Sequence, residues 1–256
     1  NFTSATDSFN TAVGFSAGLS ITTGIENTLI GGSAGDALTD ADYNTAVGRL
    51  SLSSDTLGSN SVAIGYQALR DQNFTSATAA YNTAVGRNAG VLITTGIQNT
   101  IVGGLAGDAV TTGSYNVIMG TNAGGGVTTG DQNIIIGQGT NAAALTGNTN
   151  TIIGDSAGQA MTSAANNVAV GANTLVAHTT AANCTAVGAN ALQSNTTGAD
   201  NTGLGKGALA SNTTAAQNTA VGVRSMEDTT TGADNTAIGW GSLTENTTGT
   251  NNVALG

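Results

Sequence analysis

Covalent chemistry needs a nucleophile within reach of a base, and this chain holds few of either. His178 is its only histidine and Cys184 its only cysteine. Any Ser-His-Asp or Cys-His scheme would have to run through His178. That residue stands just before Thr179-Thr180, at a place where related stretches carry Asp or Asn. It is therefore expected to be an exposed polar residue. Cys184 stands where an asparagine stands elsewhere and reads as a small, semi-buried replacement. The carboxylates Asp36, Asp108, Asp155, Asp200 and Asp234 are scattered. They match neither a calcium-binding repeat nor an EF-hand loop. Gly124-Gly125-Gly126 lacks the Lys-Ser/Thr of a phosphate loop. The expectation is a non-enzymatic protein with no catalytic residue, no cofactor and no metal.

What positions these residues is a repeat. Asn82-Thr83-Ala84-Val85-Gly86 returns along the chain, and its glycine recurs from Gly14 to Gly256. Every step is 17 residues except the 21 from Gly65 to Gly86. A fixed short period over a whole chain marks a solenoid in which each repeat is one rung. The expected fold is all-β: a parallel β-solenoid of 17-residue coils, one repeat domain over 1–256, with one 21-residue coil at 61–81. The hexapeptide of Asn1 to Thr6 stands again at Asn73 to Thr78, the mark of a duplicated four-coil block.

Composition fits a thin stack. The chain has 38 glycines, no proline, 8% charged and 4% aromatic residues, so it cannot fill a wide core. Its net charge of -10 excludes the basic footprint of nucleic-acid binding. One cysteine allows no intrachain disulfide framework. No apolar run is long enough to span a membrane. The sequence begins at Asn1 without Met and stops five residues into a coil, so it is read as a piece of a longer fibre.

Each coil is numbered from its Asn as position one. Position two is Thr, Val or Ile, and position four is never polar. Residues two apart on a strand share a face. The expected structural core is therefore position four: Val13, Ile30, Val47, Ile64, Val85, Val102, Met119, Ile136, Ile153, Val170, Val187, Leu204, Val221, Ile238 and Leu255. Position three points the other way and is also dry. Ala12, Leu29, Ala46, Ala63, Ala84, Ile101, Ile118, Ile135 and Ile152 would then form an apolar stripe that another chain must cover. The position-five glycine is expected to turn the chain through positive φ or to admit close backbone approach. The position-one Asn suits either an amide ladder along the stack or a turn.

At Ser61 to Gly65, S-V-A-I-G, the chain resembles the head repeats of trimeric autotransporter adhesins. Its coil is longer than theirs. Asn235 to Asn251 is similar to the 17-residue repeats of bacterial and phage fibre proteins, many of which end in a self-cleaving chaperone domain. The resemblance implies a left-handed roll and a parallel homotrimer. It also implies an extracellular fibre on a cell or virion whose shaft or head presents an adhesive tip. A host-surface or glycan receptor would be met through tip domains outside this stretch. The rival readings are a repetitive-surface binder, such as an ice-binding solenoid with its Thr ranks at position thirteen, and a carbohydrate-binding or -degrading tailspike. Position six varies in size and charge, so Tyr66 and Trp240 are expected to be exposed binding candidates. Phe74 joins them at the tip of the long coil, where four extra residues should loop outward.

Overall fold

The computed structural model describes residues 8–256. They form a parallel β-solenoid of 17-residue coils. The chain divides into two compact units, Asn1–Gly130 and Asp131–Gly256. The first holds β1 (Thr11–Val13), β2 (Thr28–Ile30), β3 (Thr45–Val47), β4 (Gly58–Ser59), β5 (Val62–Ile64), β6 (Thr78–Ala79), β7 (Thr83–Val85), β8 (Thr100–Val102) and β9 (Val117–Met119). The second holds β10 (Ile134–Ile136), β11 (Thr151–Ile153), β12 (Val168–Val170), β13 (Thr185–Val187), β14 (Thr202–Leu204), β15 (Thr219–Val221), β16 (Thr236–Ile238) and β17 (Val253–Leu255). Among the described residues no helix is long and apolar enough to cross a membrane.

Within each unit, each three-residue strand pairs in parallel with its equivalent one coil on. Leu29 lies beside Ala46, and Ile152 beside Ala169. The long coil does not disturb this register, because Ala63 still pairs with Ala84 and Ile64 with Val85. Its extra residues leave the stack at Thr75, Ser76 and Ala77, which are exposed. They return through β6, which pairs with β4. Phe74, expected at the exposed tip, is instead buried at 6% exposure. The loop turns that ring back over Gly58, where an added Cβ would stand 2.7 Å from Phe74 Cδ2.

Corners come from left-handed residues, as at Ser33 (position seven, φ 53), Leu52 (position nine, φ 50) and Tyr43 (position seventeen, φ 60). The position-five glycine meets both expectations. Gly31 has φ +137, and a Cβ there would sit 2.6 Å from the carbonyl oxygen of Gly48 on the next coil. No L-residue fits that torsion and that approach together.

The inside of the coil is position three, which corrects the expectation drawn from the pattern. Leu29, Ala46, Ala63, Ala84, Ile101, Ile118, Ile135 and Ile152 are fully buried within their own chain, so they do not form an outer stripe. Ala12, on the outermost described coil of its unit, is exposed. The expected core row faces outward. Val13, Ile30, Ile64, Met119, Leu204, Ile238 and Leu255 are exposed. Val47, Val85, Val102, Ile136, Ile153, Val170, Val187 and Val221 are half-buried. An alternating strand that is apolar on both faces carries no signal for which side closes.

Enclosed volume explains the choice. Position three shares the interior with positions nine and twelve, and positions three and nine are never both large. Leu29, Ile101, Ile118 and Ile152 face Gly35, Gly107, Gly124 and Gly158. Ala46, Ala63, Ala169, Ala186 and Gly203 share their coils with Leu52, Leu69, Leu175, Leu192 and Leu209, and a Cβ on Gly203 would stand 3.4 Å from Leu192 of the preceding coil. A Cβ on Gly35 would meet Leu29 Cδ2 and Leu38 Cδ1, both at 2.8 Å. A close-packed interior holds one or the other.

Position twelve follows the same alternation. Where position nine is Gly, position twelve is apolar, as in Leu38, Ile93, Val110, Val127 and Met161. Where position nine is Leu or Met, position twelve is polar: Asp55, Gln72, His178, Asn195, Asn212, Thr229 and Asn246. With the apolar space filled from position nine, position twelve serves the backbone turn. Asn195, Asn212 and Asn246 each donate from Nδ2 to the carbonyl three residues on, at 2.8, 3.1 and 3.1 Å.

The position-one asparagines form a ladder. Asn150 Nδ2 donates to Asn133 Oδ1 at 3.0 Å and to Ala164 O at 2.9 Å, while Asn150 N–H donates to Asn133 Oδ1 at 3.0 Å. Each side chain thus pairs groups on its own coil and on the next. None of these asparagines has positive φ, so the turn explanation falls away.

Candidate interaction face

Outward, each rung shows the side chains of positions two and four. Position two is half-buried Thr or Val in most coils, and position four is the apolar row described above. The strand face therefore carries a strip of Val, Ile, Leu and Met side chains along each unit.

Aromatic residues flank that strip. On the side entering the strand, at position seventeen (the last residue of a coil, residue twenty-one in the long one), stand Phe9, Tyr43, Tyr81 and Tyr115, all exposed. On the side leaving it, at position six, stand Phe15, Tyr66 and Trp240, with Trp240 at 74% exposure. These seven are most of the chain's nine aromatics. An apolar strip bordered by exposed Tyr, Trp and Phe has the makeup of a protein-contact surface, not of a solvated one. Tyr66 and Trp240 stand where the sequence put them. The position-seventeen row was missed, although its three tyrosines each directly precede the position-one Asn.

All the cations of the two borders lie on one side: Arg49, Arg87 and Lys206 occupy position six together with Asp155, and Glu26, Asp200 and Asp234 occupy position seventeen. The guanidinium of Arg49 lies over the Tyr66 ring, 5.9 Å from its centroid, so neighbouring rungs of position six brace one another.

The residues that could do chemistry lie elsewhere, and inside. His178 is fully buried, which corrects its expected exposure. It is a position-twelve residue in a coil whose position nine is Leu175. Its Nε2 lies 2.9 Å from Ala181 O and its Nδ1 3.1 Å from Asn195 Nδ2. Cys184 is buried too, with Sγ 3.2 Å from Gly198 O and 3.7 Å from Asn195 Nδ2. Burial pushes the His178 pKa below its usual value and the Cys184 pKa above its own. Both groups are thereby held neutral, opposite to the thiolate–imidazolium pair that arms a cysteine nucleophile.

Asp55 is also buried. It accepts hydrogen bonds from Gln72 Nε2 at 2.6 Å, Gly58 N–H at 3.0 Å and Phe74 N–H at 3.1 Å. Burial still outweighs these bonds and raises its pKa. Gln72 repairs the ladder where Ser61 replaces Asn: it donates to Ser61 Oγ at 3.1 Å and accepts from Asn82 Nδ2 at 2.8 Å. Beside Cys184, Asn195 donates to Gly198 O at 2.8 Å, as Asn212 and Asn246 do to their turn carbonyls in coils that keep Asn at position one. Among the described residues no three of His, Cys, Asp and Glu gather closely enough to hold a metal ion.

A notch of about 360 Å³ opens in the second unit, where Gly207 and Ala210 leave the surface low. Asn190 and Gln193 border it on one side, Arg224 and Glu227 on the other. Of its three charged lining groups, Arg224 and Glu227 are tied to each other as an ion pair, and Lys206 is the third. No known protein family matches this chain, and neither does any curated protein or solved structure.

Proposed function

We propose that the chain is a non-enzymatic structural protein: the shaft or head of an extracellular fibre on a cell or phage particle. Three parallel, in-register copies would associate through the outward strand face and carry an adhesive tip. The observation behind this is the exposed position-four strip with its aromatic borders. A soluble protein keeps so long an apolar row covered, and identical chains cover it along its whole length while a closed ring avoids open-ended growth. The repeat's resemblance to fibre and adhesin heads supports three chains over two. The interface thus moves from position three, which is interior, to positions two and four. Light scattering on the intact chain tests this. A mass of three times 24.8 kDa is expected, and a stable monomer would sink the proposal.

One observation favours the repetitive-surface rival. Thr180, Thr197, Thr214, Thr231 and Thr248, all at position fourteen, form an exposed threonine row. The neighbouring position-thirteen row supports it less. Thr196 and Thr213 spend their hydroxyls on the carbonyls of Thr213 and Thr230, at 2.9 and 3.1 Å. A flat array would then have a single free column. Thermal hysteresis of the purified chain separates the two readings.

A further inference from the structure

On three rungs the two borders of the strand face carry complementary side chains. In a ring of parallel, in-register chains, position seventeen of one chain meets position six of the next at the same level. Tyr43 then meets Arg49, Tyr81 meets Arg87, and Asp200 meets Lys206. Every cation of position six faces a Tyr or Asp this way, and no rung sets like charge against like. Within one chain the two borders cannot touch. They lie six residues apart at opposite ends of a strand, about 15–20 Å at the usual rise.

A second observation points outward. Tyr43 and Tyr81 hold φ of 60° and 50°, a region that bulky residues rarely adopt. Asn60 and Asn183 fill the same corner with a side chain that tolerates it. The corner is left-handed in every described coil, with Glu26, Gln98 and Thr149 there too, so the fold sets the torsion; the choice of a tyrosine there, half-exposed at 50% for Tyr43 and 57% for Tyr81, leaves ring surface facing outward.

We infer that these two rows are a pairing code: a second copy of this chain is the partner, and the borders set its direction, neighbour order and rung register. The inference rests on the assembly proposed above and adds to it how register is chosen. The apolar rows repeat every 17 residues, so a slip of one coil leaves them in contact. The same slip sets Tyr81 against Gly104 and Asp200 against Val223, and breaks all three matches. A repetitive interface needs such irregular elements to reject its own shifted forms.

Charge exchange and cross-linking test this on the intact chain. Lys206→Asp should raise the dissociation constant of the assembly about tenfold or more, since the lost pair recurs at every interface. Adding Asp200→Lys should restore it. Chains carrying Tyr43→Cys, co-expressed with chains carrying Arg49→Cys and oxidised with copper-phenanthroline, should form interchain disulfides. A Tyr43→Cys with Arg87→Cys mixture should not. Equal cross-linking in both mixtures, or an assembled double variant no tighter than Lys206→Asp alone, overturns the code while leaving the assembly standing. A monomeric unmodified chain overturns both.

Discussion

Removing one asparagine from the ladder tests what holds neighbouring coils together. In Asn99→Ala the backbone is kept and the side chain's bonds go. Asn99 Nδ2 donates to Gly113 O at 2.9 Å and to Asn82 Oδ1 at 3.2 Å. Its Oδ1 accepts from Asn116 N–H at 3.0 Å and from Asn116 Nδ2 at 3.1 Å. Two of the partners have cover: Asn116 Nδ2 keeps Gly130 O at 2.9 Å, and Asn82 Oδ1 keeps the Asn99 N–H at 2.9 Å. Gly113 O and Asn116 N–H lose their partners and are buried. Each such group costs roughly 1–3 kcal/mol, so the variant should lose about 2–6 kcal/mol. The lower end applies if a water enters the space left by the amide. Because coils couple only to neighbours, the damage should be local. Urea unfolding gives the size, and amide exchange should speed up around residues 99–116 while distant coils stay protected. Asn99→Asp sharpens the result. Its carboxylate would face acceptor oxygens, so the loss should be larger at neutral pH and shrink on acidification as the group regains a proton to donate. A loss under about 1 kcal/mol for Asn99→Ala would mean the row is not what binds the coils.

The inward and outward faces can be separated with adjacent isoleucines. Ile152→Asp places a charge in the closed interior and should cost several kcal/mol, seen as a collapsed melting temperature. Ile153→Asp should leave the fold of one chain largely intact and lower the solution mass; the reverse pattern would put position four, not position three, inside the coil. Gly31→Ala should cost roughly 1–3 kcal/mol from backbone strain alone, with faster amide exchange in Thr28–Ile30 and Thr45–Val47, and normal exchange there would contradict the close approach. Asp55 and His178 should respond to pH with opposite sign. The raised Asp55 pKa makes its contribution fully present below the ordinary value of 3.8 and lost as pH rises through the folded value. The lowered His178 pKa makes its contribution present above 6.5 and lost as pH falls through the folded value. Amide exchange at pH 4 and pH 8 should therefore show the Asp55 coil loosening at the higher pH and the His178 coil at the lower.

Much of this architecture is written in the period. A step of 17 residues, held from Gly86 to Gly256, determines which residues stack, because parallel in-register pairing is the arrangement that repeats every coil. The glycine that ends each strand announces its own torsion, since no other side chain survives there. The four-residue insertion before Asn82 was bound to leave the stack, because Ala63 and Ala84 had to remain neighbours.

Which side of the strand closes was decided only in three dimensions. Ala84 and Val85 are both apolar, and period two cannot choose between them. The choice follows from how little room the coil encloses. Position three must trade volume with position nine, as Leu29 does with Gly35 and Ala46 with Leu52, whereas position four stays uniformly large because it competes for no enclosed space. That exchange lies in the sequence, but it has meaning only once the two positions are known to face each other. The same holds for His178, polar at position twelve because Leu175 fills the interior, and for Phe74, an aromatic in an insertion that finds a glycine to cover. The rows at positions six and seventeen are also spelled out along the chain. Only the fold shows that they border one face, and that two ends of a strand too far apart to meet are left to meet another copy.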